Sequence, residues 1–286
     1  MNNFDALSHP HRTTHLNRRQ STLIVISLSV IFLLGLLSGG LLTSDAGLAT
    51  NLTQRNLMPS LEHPFGTDWL GRDMLVRTLK GLTLSFAIGL AAATASAFIA
   101  LVLGLTSALG GRLADIVITW LVDLFLAVPH LVLLILIAFV FGGGTTGVIA
   151  GVALTHWPAL TRLLRAEVLQ LRSADFVQTS RRLGRSRWWV ATRHLLPHLK
   201  PQLLVGFVLL FPHAILHEAA ITFLGFGLSP HRPAIGVILS EAMRHLSAGS
   251  WWLAFFPGLA LLVMVRTFDI LGENIRLLLD PRTAHE

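Results

Sequence analysis

Two histidines stand four residues apart in an apolar stretch of the sequence, His213 and His217, and Glu218 follows the second. In a helix, residues at this spacing share one face, so both imidazoles can reach one ligand. Imidazole suits nickel, copper and zinc, and an ionisable side chain within an apolar helix is costly enough to be functional by default. The spacing therefore predicts transient binding of a transition-metal ion by His213 and His217, with Glu218 as a weaker ligand.

Other roles stay open for these imidazoles. A proline inside a helix leaves a backbone carbonyl without its donor, so Pro212 could free an acceptor for a histidine that serves packing alone. A pH-sensing or coupling role is the third possibility, since histidine titrates near neutral pH. The order His-x-x-x-His-Glu differs from the His-Glu-x-x-His of zinc proteases, which excludes that chemistry.

The composition sets the kind of element that must position these side chains. Hydrophobic residues make up 53% of the 286 residues and charged residues 13%, whereas soluble domains carry about 25% charged residues. Such a chain is an integral membrane protein, and each spanning helix needs about 20 apolar residues. The sequence predicts an all-α, polytopic fold of six transmembrane helices, at about 21–42, 82–109, 116–141, 148–164, 203–228 and 251–271.

Three details of these spans carry structural expectations. The first apolar run is too long for the apolar core of a signal peptide, so we expect a retained helix. Pro129 lies inside the third span, and Pro212 predicts a kink in the fifth. Small residues dominate 91–97 and the later spans, which predicts close helix packing.

A basic segment separates the fourth and fifth spans. Residues 162–201 hold nine of the chain's 22 Lys and Arg residues, and the positive-inside rule places so basic a loop in the cytoplasm. With both termini also cytoplasmic, 15 basic residues fall on that side and six outside. A helix starting at Asp175, a turn at Gly184 and a second helical run closed by Pro197 predict a helix–turn–helix outside the bilayer.

Several function classes are excluded by what the sequence lacks. It has no cysteine, which rules out disulfide and thiol chemistry. It has no Walker A motif, so ATP-driven work would need a partner that binds the nucleotide. The net charge of +7 does not indicate nucleic-acid binding, because the basic residues gather at the ends of apolar runs.

The basic segment resembles a known family. Gly184 is followed by nine residues, His194, one residue and Leu196-Pro197, which is similar to the coupling loop of ATP-binding-cassette (ABC) importer permeases, with His194 where isoleucine is usual. The resemblance covers about 64–282. Further stretches narrow it to the dipeptide, oligopeptide and nickel branch: 65–73, 223–228, 256–260 and 279–281.

The resemblance implies a coupling loop at 165–201 that docks on an ATPase subunit. The sequence departs from the family at 178–180, where the usual triplet is Glu-Ala-Ala or ends in Ala-Ala. The residues expected to carry the coupling are Gln178, Thr179, Ser180, Gly184, His194, Leu196 and Pro197.

The same resemblance implies the partners. They are a second homologous permease subunit, two cytoplasmic ATPase subunits that bind ATP and magnesium, and a periplasmic substrate-binding protein. The chain itself is expected to lie in a bacterial inner membrane. It is not expected to be an enzyme or to hold a cofactor. Its divisions are a cytoplasmic tail at 1–20, a first transmembrane helix at 21–42, a periplasmic loop at 43–81, a permease domain at 82–272 and a cytoplasmic tail at 273–286.

The cargo expected from the sequence is nickel, free or chelated. The nickel permeases of this branch resemble the sequence at His213 and His217, and at a His156-Trp157 pair, which makes His156 a third candidate metal ligand. His156 has the same structural alternative as the other two, since Pro158 follows it closely. Import of dipeptides or oligopeptides is the alternative, and a secondary transporter driven by an ion gradient is a second alternative.

Overall fold

The computed structural model describes residues 17–279, and this part of the chain is helical. It contains no β-strand between these residues, only an isolated bridge that pairs Thr67 with Asp73. Of the predicted tails 1–20 and 273–286, residues 1–16 and 280–286 lie outside the described range. The helices are α1 Arg18–Leu42, α2 Met74–Leu109, α3 Arg112–Ala127, α4 His130–Val140, α5 Gly144–Arg172, α6 Asp175–Arg182, α7 Arg187–Val190, α8 Leu196–Phe223, α9 Ile235–His245 and α10 Trp252–Leu279.

Four helical stretches are long and apolar enough to cross a membrane. They are Arg19–Leu42, α2, the stretch Arg187–Phe223 that ends with α8, and α10. A fifth is present if α3 and α4 together form one bent span. Helix α5 has 29 residues, which is long enough to cross a membrane. It is less apolar than the four helical stretches above, because histidine, threonine and arginine interrupt its apolar residues. The six-span topology therefore stays a prediction.

The third predicted span is not one helix, and this corrects the prediction for 116–141. Helices α3 and α4 meet at an angle of 102°. Pro129 has no N–H to continue a helical ladder and disfavours helical geometry in the residue before it. Val128 is accordingly extended, with φ −80° and ψ 139°. The break places His130 at the first position of a new helix.

Helices α2, α5 and α10 extend beyond the predicted spans. The predicted loop 43–81 ends at Asp73, whose side chain caps α2 by accepting from the Val76 N–H at 3.0 Å. Helix α5 continues to Arg172, so the start of the predicted coupling loop 165–201 is helical. Residues 273–279, which were predicted to lie in the C-terminal tail, continue α10 as helix. Apolar runs mark only part of such helices, which explains the short predictions.

Pro197 does not close the second helical run of the basic segment, contrary to the prediction. A π-helical turn over Ala191–Leu195 leads directly into α8, where Pro197 is the second residue. Proline is tolerated in a first helical turn, and the wider π turn relieves its clash with the preceding turn. Helix α8 then continues through Pro201 and Pro212.

The region after α8 also differs from the prediction for 203–228. The helix ends at Phe223, and Gly225 has a positive φ of 87° that starts a turn. The short helix α9 follows, which the sequence analysis missed. It packs against α8 and α10.

Close packing of α2 on α5 and α8 holds the bundle together. A Cβ atom on Gly89 would lie 2.7 Å from Ile215 Cγ1, and one on Gly104 would lie 3.1 Å from Leu164 Cβ. A larger residue at either position would force its neighbours to shift, which fits helices that associate in lipid by backbone approach and van der Waals packing. The expectation drawn from the small residues is confirmed at these positions.

Candidate functional site

A cavity of about 560 Å³ lies between α3, α4, α5 and α8. Its walls are mainly apolar, and its polar groups are a few histidines and a threonine. The side chains and backbone that line it belong to Leu126, His130, Thr155, His156, Pro158, Ala159, Leu160, Leu163, Gly206, Leu209, Leu210, His213 and His217.

Three of these histidines converge on one point of the cavity wall. His130, His156 and His217 each offer a ring nitrogen, and the three nitrogens lie within 4.8 Å of one another. The ring centroids are 4.6 Å apart for His130–His156 and for His130–His217, and 4.9 Å for His156–His217. Each ring comes from a different helix, so the cluster depends on how α4, α5 and α8 pack.

Backbone hydrogen bonds fix the protonation of two of the rings. His156 Nδ1 lies 3.0 Å from the Val152 carbonyl oxygen, and His217 Nδ1 lies 2.8 Å from the His213 carbonyl oxygen. Because a carbonyl oxygen only accepts, each Nδ1 carries a hydrogen, and in the neutral ring each Nε2 keeps its lone pair. This is the arrangement in which a histidine is ready to bind a metal through Nε2.

His130 is the member of the cluster that sequence reasoning missed. Its Nε2 is buried and has no hydrogen-bond partner within residues 17–279. A buried polar atom without a partner carries a free-energy cost, which a ligand could remove. The signal in the sequence was an isolated histidine between Pro129 and a run of eleven apolar residues.

The structure separates the other two predicted metal ligands from the cluster. His213 lines the cavity with an exposed ring, and its Nδ1 lies 3.1 Å from the Leu209 carbonyl oxygen. Glu218 is fully buried in the core, where one carboxylate oxygen accepts from the Thr222 hydroxyl at 3.1 Å. The cluster joins His130 to the predicted ligands His156 and His217.

The basic segment forms the predicted helix–turn–helix around Gly184. Helix α6 ends at Arg182, and Gly184 has φ 81°, a conformation that costs other residues about 1–2 kcal/mol. Ser186 then caps α7 by accepting from the Trp189 N–H at 3.1 Å. Gln178 and Thr179 are exposed on α6, where another protein could contact them.

His194 connects the two halves of this segment. Its Nε2 lies 2.9 Å from the hydroxyl of Ser180, whose own hydrogen is donated to the Phe176 carbonyl at 2.9 Å. His194 Nε2–H is therefore the donor, and α6 is held against the π-helical turn. Leu196 is half-buried and Pro197 is exposed at the start of α8.

Several arginines of the basic segment serve the fold rather than an exposed docking face. Arg172 and Arg187 donate to the carbonyl oxygens of Ala108 and Leu109 at 2.5 and 3.1 Å, at the C-terminal end of α2. Cations stabilise a helix there because they compensate unpaired carbonyls and the helix dipole. Arg165 forms a two-pronged ion pair with Asp115 on α3, at 2.6 and 2.7 Å.

The stretch 65–73 forms an ordered cap over the other end of α2. Asp68 is buried, and its carboxylate accepts from the backbone N–H groups of Leu70 and Arg72 at 2.8 and 2.9 Å. The same carboxylate accepts from Arg77 on α2 at 2.7 Å. Trp252 at the start of α10 donates to the Thr67 carbonyl at 3.1 Å. The motif therefore fixes three elements to one another.

Comparison with known proteins gives the family. Residues 100–285 match the family described as the inner membrane component of binding-protein-dependent transport systems. A protein of Brucella suis biovar 1, provisionally named a peptide transport system permease protein, is 35% identical over 271 residues, which cover 95% of this chain and 91% of that protein. The dipeptide transport system permease protein of Alkalihalophilus pseudofirmus is 32% identical over 275 residues, covering 96% and 90%. That of Bacillus subtilis is 30% identical over 244 residues, covering 85% and 76%. The chain therefore belongs to the family of inner membrane components of binding-protein-dependent transport systems.

Proposed function

We propose that this chain is a permease subunit of an ATP-driven importer whose cargo is a dipeptide or oligopeptide. The main support for this cargo is the similarity to a dipeptide permease along nearly the whole chain, at 32% identity over 96% of its residues. This favours peptide over the nickel cargo expected from the sequence, since the matching proteins carry peptide or dipeptide in their names.

The cavity between α3, α4, α5 and α8 is suited to such a cargo. Its volume of about 560 Å³ falls within the range of roughly 300–1,000 Å³ usual for small-molecule pockets. Mainly apolar walls can accept side chains of different shape. The imidazole nitrogens of His213 and His217 could hydrogen-bond to the backbone or the carboxylate that every peptide carries.

The helix–turn–helix at 175–190 provides the surface for energy transfer. Leu183 and Trp188 flank the turn at Gly184, and each is 78% exposed. Exposed apolar groups beside arginines form the kind of surface that a protein partner covers. We propose that each of two ATPase subunits, which bind ATP and magnesium, docks on such a segment of one permease subunit. A second permease and a periplasmic binding protein complete the importer, in an inner membrane with both termini cytoplasmic.

Growth of a deletion strain tests the cargo directly. Cells that lack this permease and cannot make one amino acid should fail to grow on a dipeptide containing it, and the restored gene should return growth. The free amino acid should support both strains equally, which controls for general effects. Unimpaired growth of the deletion strain on several dipeptides, in a strain without other peptide importers, would contradict the proposal.

Nickel import is the second candidate, and the cluster of His130, His156 and His217 is the observation that favours it. Under this hypothesis the imidazoles, with His213 at the cavity wall, bind the ion transiently on its way across. Accumulation of radioactive nickel should then fall in the deletion strain while growth on dipeptides is unchanged. The converse result supports peptide cargo.

A secondary transporter driven by an ion gradient has less support. Such a carrier has no need for a docking segment with a turn at Gly184, and the family match is to a binding-protein-dependent system. Uptake that continues after the ATPase subunits are removed would revive this alternative.

A further inference from the structure

We propose that His130, His156 and His217 form a regulatory site for a divalent transition-metal ion, which holds the bundle in the conformation of this structure and so inhibits the importer. The inhibitory part rests on the proposed function of an ATP-driven importer, whereas metal binding does not. Ions of the nickel, cobalt and zinc class are the ligands that imidazole nitrogens select.

The spacing of the ring nitrogens is close to what a metal requires. Metal–imidazole bonds of about 2.0–2.1 Å in a tetrahedral site place ligand nitrogens roughly 3.4 Å from one another. One ring nitrogen from each of the three histidines lies within 4.8 Å of the other two. The nitrogens must therefore come closer together to bind one ion, and we expect rotation of the rings to provide this movement.

The surroundings also prepare the rings for a metal. The hydrogen bonds from His156 Nδ1 and His217 Nδ1 to backbone carbonyls hold the rings in place and direct the free lone pairs to Nε2. His130 brings a buried nitrogen that lacks a partner in the described residues, 17–279. An ion bound to all three rings would give that nitrogen a partner and would also accept the lone pairs of His156 and His217.

The charge of the site indicates reversible occupancy. No carboxylate is present among the residues that line the cavity within 17–279, and the neighbouring Glu218 is turned into the core. Three neutral ligands leave the ion's two positive charges uncompensated in an apolar setting, which limits its affinity. A three-ligand site also leaves a coordination position open, as in sites where ligands exchange.

Inhibition is expected because the three ligands belong to three different helices. His130 begins α4 directly after the 102° break, whereas His156 and His217 lie inside α5 and α8. An ion binds most tightly to the conformation in which all three rings converge, so it shifts the population toward that conformation. A transport cycle that moves α4 relative to α5 and α8 must then break the site, and the ion opposes this step.

Metal binding is measured on the purified complex with Co²⁺ alone, whose visible absorption reports tetrahedral nitrogen ligation, followed by displacement with Ni²⁺. His130→Gln should abolish the absorption, and His217→Gln serves as a second variant. His213→Gln is the matched control, because it lines the same cavity outside the cluster, and it should retain the signal. Loss in His213→Gln with retention in His130→Gln would overturn the assignment of the site. Absence of the signal in the unchanged protein would do the same.

Inhibition is measured as ATP hydrolysis by the same complex, which does not depend on knowing the cargo. At a Ni²⁺ concentration ten times the dissociation constant, about nine-tenths of the sites are filled, so hydrolysis should fall to roughly one-tenth. Hydrolysis by His130→Gln should not respond to the same Ni²⁺ concentration, each protein being compared with its own rate without metal. Unchanged or faster hydrolysis with the site filled would refute the inhibitory role. Failure of the peptide proposal would instead appear as absent peptide uptake without metal, with cobalt binding and metal-inhibited hydrolysis intact.

Discussion

Arg77 and Asp68 form a buried ion pair in which Arg77 Nη1 lies 2.7 Å from Asp68 Oδ2. The side chains are 3% and 0% exposed. The other terminal nitrogen of Arg77 lies 2.7 Å from Glu241 Oε2 on α9, a residue 164 positions later. One guanidinium therefore joins the cap at 65–73, the start of α2 and the helix after the fifth predicted span.

Replacing Asp68 tests whether this pair holds the cap. Asp68→Asn keeps the size of the side chain but leaves the buried guanidinium of Arg77 with Glu241 alone. Breaking a buried pair by removing one partner costs about 3 kcal/mol or more, so the midpoint of thermal unfolding should fall clearly. Asp45→Asn is the control, since Asp45 pairs with Lys80 but is 83% exposed. Equal effects of the two variants would show that the buried network contributes no more than a surface pair.

Coupling to the ATPase should depend on the turn at Gly184. Gly184→Val places a β-branched side chain at φ 81°, where valine is strained by about 1–2 kcal/mol or more. Cargo-stimulated ATP hydrolysis should fall while the amount of protein in the membrane stays normal. Gly184→Asn should be much milder, because asparagine tolerates this conformation. Normal coupling by Gly184→Val would remove the main support for this docking segment.

The pair formed by Arg165 and Asp115 should stabilise the bundle more than that formed by Arg162 and Asp123. The first pair has two hydrogen bonds and side chains 28% and 33% exposed, whereas the second has one and is 58% and 59% exposed. Exposed pairs contribute little because water and salt screen them. The midpoint temperature of thermal unfolding should therefore fall more in Arg165→Met than in Arg162→Met. The reverse order would contradict this account.

The membrane topology can be tested with single cysteines, because the sequence has none of its own. We expect Arg185→Cys, in the docking segment, to react with an impermeant reagent only after the membrane is opened. Glu62→Cys, in the loop before α2, should react in intact spheroplasts. Both residues are exposed, so accessibility alone does not decide the result. Labelling of position 185 from the periplasmic side would overturn the predicted orientation.

The sequence predicted elements that depend on local composition. Gly110 and Gly142 mark the ends of α2 and α4, and Gly184 adopts the predicted turn. Proline was less informative. Pro129 separates two helices at a sharp angle, whereas Pro197, Pro201 and Pro212 all lie inside α8. Neighbouring helices decide which prolines are tolerated, and a sequence read along one chain does not contain that packing.

The candidate metal cluster was likewise only partly predictable from the sequence. His213 and His217 share a helix face, as their spacing predicts, but the structure places His217 with rings from two other helices. His130 is 26 positions from His156 and 87 from His217, so no spacing rule joins them. Only the break at Pro129 brings His130 to the other two rings. A lone histidine in an apolar run was the available signal.

The most direct test of the central claim is transport by the complete importer in proteoliposomes. The two permeases, the ATPase subunits and the binding protein are reconstituted, and uptake of a radiolabelled dipeptide is compared with uptake of radioactive nickel. With ATP and magnesium at the ATPase subunits, the dipeptide should accumulate, and a variant ATPase that cannot hydrolyse ATP should give none. ATP-driven accumulation of nickel without accumulation of dipeptide would contradict the proposed cargo. Accumulation driven by an ion gradient in the absence of ATP would contradict the mechanism itself.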